Sequence, residues 1–552
     1  MSLFVKEKLT DIRDRCGWLG QKGMFLLVSL SLVSFFLSPH VHAEDAEESL
    51  SFAINSFEVE GNTILDKDAV GRLVAPFVGE NRNFGTVQQA LEALEEAYAD
   101  LGFSTVLVTL PEQRLQDGVV RFKVVEGRLA RIEIDEKTYF DDKNTLYSLP
   151  TLKVGETPNL DDLAANLSLI GENPAKRSNV VFKPGEDEGD VIASVKTVEQ
   201  NPLRMAVTLD NTGTLKTGIL RIGFAVQHAN LFNLDHVLTA QAVTAPQEGH
   251  YRDVQIFAAS YHAPIYSWGG SVDVLFGYSS VDSGDVRTSV GNFAISGSGD
   301  VYEVHFNKHL PKIGNWEHKL STGFSYRLFK TSVNLVNTNQ NLVPPLTIHP
   351  IDLTYSFSRS SEIYSLNGYL SLVQNIPFGT HGETDDFSAF GARPGSRASY
   401  ALARYGFDFN YLYKSGWQWR FKFAGQTTSD LLIPGEQFGI GGQDSVRGLE
   451  ERAYSNDKGY QGTFEVYTPE FGSRWSSDFK MRALVFSDTG KVVRNYPAVD
   501  EIAEVQLTSV GLGVRASYKD KISLRLDVAH IENDRNMLLH DDRVHGQIAW
   551  TF

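Results

Sequence analysis

The feature that most constrains the fold is an alternation of apolar and polar residues that runs from residue 203 to the last residue, 552. It occurs in segments of about 8 to 12 residues, and charged side chains occupy the second face in mid-segment. One segment alternates four apolar residues with four others: Ile522, Leu524, Leu526 and Val528 against Ser523, Arg525, Asp527 and Ala529. A soluble sandwich also alternates, but charged mid-strand positions favour a water-filled lumen. The pattern predicts a transmembrane β-barrel.

Sixteen segments qualify as strands, and an even number lets the first and last strands pair antiparallel and close the sheet. The predicted strands are 203–210, 217–228, 237–245, 253–262, 271–279, 301–310, 317–328, 352–359, 364–374, 401–413, 416–427, 460–469, 479–487, 508–517, 521–530 and 544–552.

The connections between these strands differ in length on the two sides of the barrel. Those after even-numbered strands are mostly short, whereas several after odd-numbered strands are long. Short turns are typical of the periplasmic side of an outer-membrane barrel and long loops of the extracellular side. Both chain ends of the barrel then face the periplasm. The long connections are 280–300, 329–351, 375–400, 428–459 and 488–507.

The N-terminal segment is typical of a signal for export. Basic residues precede the apolar stretch Met24 to Leu37, and Val41-His42-Ala43 supplies small residues before a cleavage site. Residues 1–43 are therefore predicted to be a signal peptide and 44–51 a short linker. A retained anchor is the alternative, but the apolar stretch is short for a span. Cys16 is the only cysteine, so disulfide scaffolds and cysteine chemistry are excluded from the mature chain.

The segment between the signal and the barrel is predicted to form two α/β modules, 52–126 and 127–200. In the first, strands alternate around Phe57 and Val59, and Thr86 is predicted to cap a helix that ends at Leu101-Gly102. The second repeats the pattern around a helix from Leu160 to Ile170. The fold class is thus mainly β with small α/β modules: two βααββ units followed by a 16-stranded antiparallel barrel.

Several function classes are excluded by composition. The net charge of −17 disfavours nucleic-acid binding. No phosphate-binding glycine loop opens a helix, so no nucleotide site, cofactor or enzymatic activity is predicted. A cluster near the end of the chain has metal-ligand residue types but no ligand-like spacing, and is assigned to a solvated loop. Its members are His540, Asp541, Asp542 and His545.

The chain resembles the two-partner secretion transporters, the haemolysin secretion/activation branch of the outer-membrane translocase superfamily. The first module resembles a polypeptide-transport-associated (POTRA) module through Gly102 to Thr105, Leu110 to Gln113, Asp117 to Val120 and Glu126 to Leu129. The second module resembles a second POTRA module at Glu172-Asn173-Pro174, Arg177 and Lys183-Pro184-Gly185. The first barrel hairpin resembles that of the family at Asp210 to Gly213, Thr217-Gly218 and Arg221.

The most specific part of the resemblance is a pair of motifs in the barrel. Gly441 to Leu449 contains Val446-Arg447-Gly448-Leu449 in the loop 428–459, and Phe486-x-Asp488-x-Gly490 follows on the thirteenth strand. The resemblance implies that Arg447 pairs with Asp488 inside the barrel and holds the loop in the pore. In a wet lumen such a pair is expected to add little to global stability. Leu449 stands where the family usually has Tyr or Phe, so an aromatic stacking role is not expected.

The resemblance also implies the function and the partners. The chain would export one unfolded, β-helical partner protein, act as a monomer in the outer membrane of a Gram-negative bacterium, and depend on the barrel-assembly machinery. Trp550 and Phe552 would form the C-terminal assembly signal. The 44–51 linker leaves no room for the plug helix of some relatives. A barrel-assembly insertase is the alternative, and a passive porin a weaker one. A cargo groove is predicted beside the second module's helix, at Leu160, Leu163, Leu167 and Ile170.

Overall fold

The computed structural model describes residues 51–552 with several short gaps. The predicted signal peptide, nearly all of the linker, and His540, Asp541 and Asp542 lie outside the described residues. Within the described part of the chain, no helix is both long and apolar enough to cross a membrane. The gaps are 115–116, 136, 215–216, 248–249, 251–253, 281–284, 289–290, 295–297, 331–344, 389–392, 500 and 533–542.

The first module is a three-stranded sheet covered by two helices. Strand β2 pairs parallel to β5, and β4 pairs antiparallel to β5, while β1 and β3 form a small second sheet that the sequence did not predict. Apolar residues at helical spacing on α2 face the sheet and form the core. The elements are β1 (Phe52–Ile54), β2 (Ser56–Glu60), α1 (Lys67–Val74), β3 (Gly79–Arg82), α2 (Phe84–Asp100), β4 (Leu107–Thr109) and β5 (Val119–Val125).

The start of α2 differs from the prediction. The cap is Asn83, whose side-chain oxygen accepts a hydrogen bond from the backbone N–H of Thr86 at 3.0 Å. Asparagine and threonine are both good N-cap residues, and Asn83 lies three positions before Thr86. The spacing of the apolar residues alone therefore did not distinguish these two possible starts of the helix. Phe84 is 64% exposed because it lies in the first turn, ahead of the buried stripe.

Glu126 ties the end of β5 to the turn after β2. Its carboxylate accepts hydrogen bonds from the backbone N–H groups of Thr63 (2.6 Å) and Ile64 (2.8 Å) and from the hydroxyl of Tyr98 (3.2 Å). Burial alone would raise the pKa of Glu126, but these hydrogen bonds lower it below its ordinary value. The Glu126-Gly127 match to the POTRA pattern therefore has a structural cause within the module.

The second module has the same order of elements. Strand β8 lies between β6, which is parallel to it, and β7, which is antiparallel. Two helices cover the sheet, and the shorter one, α3, was not located from the sequence. The elements are β6 (Arg128–Ile134), α3 (Asp142–Ser148), α4 (Leu160–Ile170), β7 (Lys176–Pro184) and β8 (Asp190–Glu199).

The rest of the chain forms a closed barrel, in which the last strand, β29, pairs antiparallel with the first, β9. The strands and the one helix are β9 (Leu203–Asp210), β10 (Arg221–Leu231), β11 (His236–Thr244), β12 (Gln255–Ile265), β13 (Gly270–Ser279), β14 (Asp285–Thr288), β15 (Gly291–Ala294), β16 (Gly299–Ile313), β17 (Trp316–Phe329), β18 (Leu346–Ile348), β19 (Pro350–Ser360), β20 (Tyr364–Asn375), α5 (Thr384–Ser388), β21 (Ala401–Leu412), β22 (Gln418–Thr427), β23 (Phe438–Ile440), β24 (Tyr454–Asn456), β25 (Lys458–Tyr467), β26 (Phe479–Val493), β27 (Glu504–Tyr518), β28 (Ile522–Ile531) and β29 (Val544–Thr551).

Sixteen of these strands span the barrel, which confirms the predicted strand number and fold class. Strands β14, β15, β18, β23 and β24 lie in the long connections, although β18 also pairs with the end of β17. The largest boundary error concerns β26, which continues to Val493 instead of ending at 487. Asp488 and Gly490 therefore lie inside a strand. The prediction ended the strand at 487 although the motif was assigned to it, because strand ends are poorly marked by the alternation.

The two faces of the barrel have opposite polarity. Outward side chains such as Phe224, Leu512 and Trp550 are large, apolar and 51%, 64% and 50% exposed, as lipid-facing residues are. The lumen face carries ion pairs between neighbouring strands. The rings of Trp550 and Phe552 lie 4.6 Å apart on the outer face, and the backbone N–H of Phe552 donates to Met205 O at 2.9 Å. The chain terminus thus takes part in closing the sheet.

Candidate functional site: a charged lumen between a loop and a helix

The connection between β22 and β25 folds back into the barrel. Its short hairpin, β23 with β24, presents the turn that contains Arg447. Gly441, Gly442 and Gly448 have φ values of +108°, +110° and +101°, a region that side chains disfavour. These glycines let the loop reverse direction twice within a few residues. The backbone geometry at these glycines thus turns the loop into the lumen.

The loop enters from the extracellular side and reaches deep into the lumen. Glu436, in its first part, accepts hydrogen bonds from Arg327 (2.8 Å) and Arg404 (2.9 Å), which lie near the extracellular ends of β17 and β21. Further along the loop, Arg447 contacts Glu465, two residues from the periplasmic end of β25. The loop therefore extends from the extracellular ends of β17 and β21 to the periplasmic part of β25.

Arg447 is held by carboxylates from three strands. Its Nε and Nη2 donate to the two oxygens of Asp488 at 2.7 and 2.8 Å, and its Nη1 donates to Glu465 at 2.8 Å. The backbone N–H of Arg447 also donates to Asp488 at 3.1 Å, and Asp527 Oδ1 lies 3.6 Å from Nη1. The guanidinium stacks 3.4 Å from the ring centre of Phe486. We call Arg447, Asp488, Glu465 and Asp527 the loop lock.

The loop lock is buried, which corrects the expectation of a weakly stabilising, water-exposed pair. The side chain of Arg447 is 2% exposed and that of Asp488 is 0% exposed. Removing one partner of such a pair leaves a charge without compensation in a dry site, which costs roughly 3–5 kcal/mol. The expectation failed because the loop itself excludes water from the lumen wall, and the sequence does not show how closely it packs.

A second layer of ions surrounds the loop lock. Asp527 accepts from Arg515 at 2.7 Å and from Arg525 at 2.9 Å, and Arg525 also reaches Asp444 of the loop at 2.6 Å. The hydroxyl of Tyr467 donates to Glu465 at 2.8 Å. Two of the three carboxylates around Arg447, Asp527 and Glu465, thus have further partners, which fix their orientation.

The opposite side of the turn is apolar. Ile440, Val446 and Leu449 pack with Val492 of β26 and Leu507 of β27. A Cβ atom at Gly490 would lie 2.8 Å from Val446 Cγ2, too close for an ordinary contact, so the glycine admits the loop. Leu449 is 4% exposed and fills this apolar contact. An aliphatic side chain at the last position of the motif is therefore accommodated by packing.

His545 belongs to this site and not to a solvated loop. It lies on β29, it is 1% exposed, and its Nε2 accepts a hydrogen bond from the backbone N–H of Gly448 at 3.0 Å. The sequence grouped it with three residues that are outside the described part of the chain. Because β29 begins at Val544, the strand alternation turns His545 into the lumen. Among the described residues, no group of three His, Cys, Asp or Glu is placed to hold a metal ion.

Between the loop and the second module lies a cavity of about 850 Å³. Its floor is α4 of the second module, through Ala164, Leu167 and Ser168, and Asp444 of the loop lies at its upper side. Barrel strands β16 to β25 complete the wall. The lumen is therefore bounded by the loop on the extracellular side and by a module helix on the periplasmic side.

The predicted cargo groove on α4 is wrong for two of its four residues. Leu163 and Ile170 are 4% and 0% exposed in the core of the second module. Leu160 and Leu167 pack against the same core, although Leu167 also borders the cavity. Apolar residues at helical spacing mark the face that a helix buries in its own domain. The sequence prediction is wrong because it takes this buried face for an open binding surface.

The comparisons with known proteins agree with this geometry. Residues 189–516 match the model of the family described as "Haemolysin secretion/activation protein ShlB/FhaC/HecB", and residues 52–127 match "POTRA domain, ShlB-type". The first match covers more than half of the chain. The chain therefore belongs to the ShlB/FhaC/HecB family of haemolysin secretion/activation proteins.

Relatives and solved structures have the same architecture. The chain is 21% identical over 420 residues to the outer membrane transporter CdiB of Dickeya dadantii, covering 76% of this chain and 72% of the relative. It is 20% identical over 499 residues to the heme/hemopexin transporter protein HuxB of Haemophilus influenzae, with 88% and 84% coverage.

The structure of CdiB from Escherichia coli matches with a TM-score of 0.73 at 20% identity, covering 94% of this chain and 93% of that one. CdiB from Acinetobacter baumannii matches with a TM-score of 0.68 at 16% identity, with 92% and 91% coverage. At these identities the structural matches show the fold, and the family match supplies the function. The protein is a two-partner secretion translocator of the outer membrane, its POTRA domain lies in the periplasm, and it works with a secreted partner exoprotein.

Proposed function

We propose that the loop lock keeps the 428–459 loop in the lumen at rest, and that this loop position is required for export of the partner protein. The observation that carries the proposal is the burial of Arg447 with two of its guanidinium nitrogens on Asp488 and a third on Glu465. A buried arginine with three ordered donors selects one loop position among many.

The partner protein crosses as an extended, unfolded chain in this proposal. A cavity of about 850 Å³ holds a short stretch of extended polypeptide but no folded domain. Free strand edges in the two modules, such as β4 and β7, bind an extended chain through backbone hydrogen bonds, which tolerates many sequences. Folding of a β-helical partner outside the cell prevents its return, so folding supplies direction by mass action.

The domain boundaries, the C-terminal assembly signal and the number of copies are also part of this proposal. The signal peptide occupies 1–43, the linker 44–51, the modules 52–126 and 127–200, and the barrel 201–552. Trp550 and Phe552 act as a recognition signal for the barrel-assembly machinery, and a single copy is sufficient for export. The closed sheet supports a single-copy pore, because the barrel has no free edge that needs a second chain.

Secretion of the partner protein by Arg447→Ala tests the proposal. Cells that express the partner and the variant should release about tenfold less partner or worse, because the variant loop samples many positions. Arg420→Ala is the matched control. It removes another lumen arginine, which pairs with Asp408 at 2.7 Å on the barrel wall, and should secrete normally.

Heat-modifiable mobility in gels shows whether each barrel is folded. Normal secretion by Arg447→Ala would contradict the proposal, and so would a defect that is explained entirely by loss of the barrel from the membrane.

A further inference from the structure

Two charged contacts attach the second module to the barrel. The first joins Lys176 of β7 to Asp235 in the turn between β10 and β11, with Nζ to Oδ2 at 2.9 Å and both side chains 0% exposed. The hydroxyl of Tyr266 donates to the same carboxylate at 2.8 Å, and Asn144 of α3 donates to it at 2.8 Å. We call these four residues the anchor.

The second contact places one carboxylate of the module beside a lysine and two histidines of the barrel. Glu172 follows α4, and its Oε1 lies 3.0 Å from Lys319 Nζ and 3.2 Å from His309 Nε2. Its Oε2 lies 3.8 Å from His262 Nε2. We call His262, His309 and Lys319, which come from β12, β16 and β17, the carboxylate site.

The two contacts differ in their access to water. The side chain of Glu172 is 25% exposed, and Glu172, His309 and Lys319 all border the cavity that we assign to the exported chain. A buried ion pair such as the anchor is costly to break, because each charge is left without a partner. A carboxylate that faces water can be exchanged for another carboxylate at little net cost, since Lys319 and the two histidines have a carboxylate partner before and after the exchange.

Further charged contacts surround the carboxylate site. Asp273 contacts the far nitrogen of His262, Nδ1, at 2.6 Å and orients the ring. Neighbouring Lys312 is paired with Glu317 at 2.7 Å. Burial raises the pKa of Glu172, but His309 and Lys319 outweigh it and lower that pKa to about 2. Glu172 is therefore ionised and is the anion that fills the site at rest.

We propose that Glu172 is an internal ligand of a carboxylate-binding site, and that Asp and Glu side chains of the exported polypeptide displace it. Displacement removes one contact between the end of α4 and the barrel; the hydrogen bonds from Asn166 to Tyr266 O at 2.9 Å and from Asn173 to Ala229 O at 2.7 Å are others. The end of α4, at the floor of the cavity, then shifts away from the lumen while the anchor stays in place. This inference rests on the proposed passage of the partner through the lumen. It predicts that an acidic segment of the exported chain binds at the carboxylate site.

A reversible cross-link tests whether α4 moves. A Cβ built at Gly269, in the turn after β12, lies 4.0 Å from Ala165 Cβ on α4. Disulfides form when the two Cβ atoms are about 3.5–4.5 Å apart. The only native cysteine, Cys16, lies in the predicted signal peptide, so Ala165→Cys with Gly269→Cys gives one cross-link.

We expect the oxidised double variant to secrete the partner about tenfold less or worse than the same protein after reduction, because the closed position is trapped. Gly269→Cys alone controls for strain, since Gly269 has a φ of +68°. Equal secretion by the oxidised and reduced forms would overturn the movement of α4.

Binding of poly-L-glutamate to the purified full chain in nanodiscs tests the carboxylate site. Glu172→Gln vacates the site, so we expect about tenfold tighter binding than in wild type, and Lys319→Met should abolish that gain. Glu317→Gln is the comparison variant: it frees Lys312, which is not part of the carboxylate site, and should change the affinity less than Glu172→Gln does. Unchanged affinity in Glu172→Gln would overturn the site. Failure of the loop-lock proposal appears separately, as normal secretion by Arg447→Ala.

Discussion

The lumen is closed at its two ends by contacts of opposite construction. In the loop lock, one cation is surrounded by three carboxylates, and its side chain is 2% exposed. At the carboxylate site, one carboxylate meets a lysine and two histidines, and it is 25% exposed. The difference teaches that burial, and not the number of ion pairs, separates a contact that fixes a structure from one that can exchange with a passing chain.

The largest expected effect comes from Asp488→Ala. The change removes the contacts of Arg447 Nε and Nη2 and leaves a buried guanidinium with fewer partners, at a cost of roughly 3–5 kcal/mol to the inserted loop state. Secretion of the partner should fall about as far as in Arg447→Ala, with the barrel still folded by heat-modifiable mobility. Asp300→Ala, which removes a carboxylate from the more exposed pair with Lys330, should have little effect.

The two loop-lock variants should not act independently. Secretion by the double variant Arg447→Ala with Asp488→Ala should be about as low as in each single variant, because both remove one unit. The charge swap, Arg447→Asp with Asp488→Arg, should restore only part of the activity, since the two-pronged geometry is lost. Fully additive defects would separate the two residues and contradict the lock.

A smaller effect is expected at the anchor. Lys176→Met leaves Asp235 buried without its cation, which should destabilise the docking of the second module by about 3 kcal/mol or more. Faster proteolysis of 127–200 in the detergent-purified protein would report it. Lys153→Met is the control, because that lysine pairs with Glu156 on the surface and both side chains are 63% exposed. Equal proteolysis rates for the two variants would show that the anchor does not hold the module.

The smallest effect depends on pH and concerns Glu172. Its pKa is lowered from an ordinary 4.5 to about 2, so its contact stabilises the docked α4 fully above pH 4.5 and loses that contribution as the pH falls toward about 2. The mobility of a spin label at Asp161→Cys on α4 should therefore differ between wild type and Glu172→Gln at pH 6. The two should converge near pH 2. A difference that persists unchanged to pH 2 would exclude this carboxylate as its source.

The sequence was sufficient for the architecture and for one half of the loop lock. Strand alternation located all sixteen strands, and β9 was predicted with its observed ends, Leu203 and Asp210. The motif match led to Arg447 and Asp488, which the structure brings into contact. Both successes rest on local patterns. The strands follow from a repeat of two residues, and the pair in the loop lock follows from a tripeptide and a carboxylate on neighbouring elements.

The parts that could not be predicted depend on packing between distant segments. Glu465, Asp527 and His545 have the spacing of ordinary lumen residues, and only the inserted loop makes them neighbours of the motif. Glu172 matched a module pattern, but its lysine and two histidine partners come from barrel strands that begin some 80 residues or more further along. The buried state of Arg447 was missed for the same reason. Contacts of this kind have no signal in a single sequence.

The most direct test of the central claim is the position of the loop itself. Spin labels at Ala453→Cys in the loop and Ser415→Cys in the turn between β21 and β22 would report their distance in reconstituted protein. The account predicts one narrow distance distribution in the otherwise wild-type chain and a broad one when Arg447→Ala is added. An equally narrow, unshifted distribution in the Arg447→Ala background would show that the loop stays in place without the loop lock and would contradict the account.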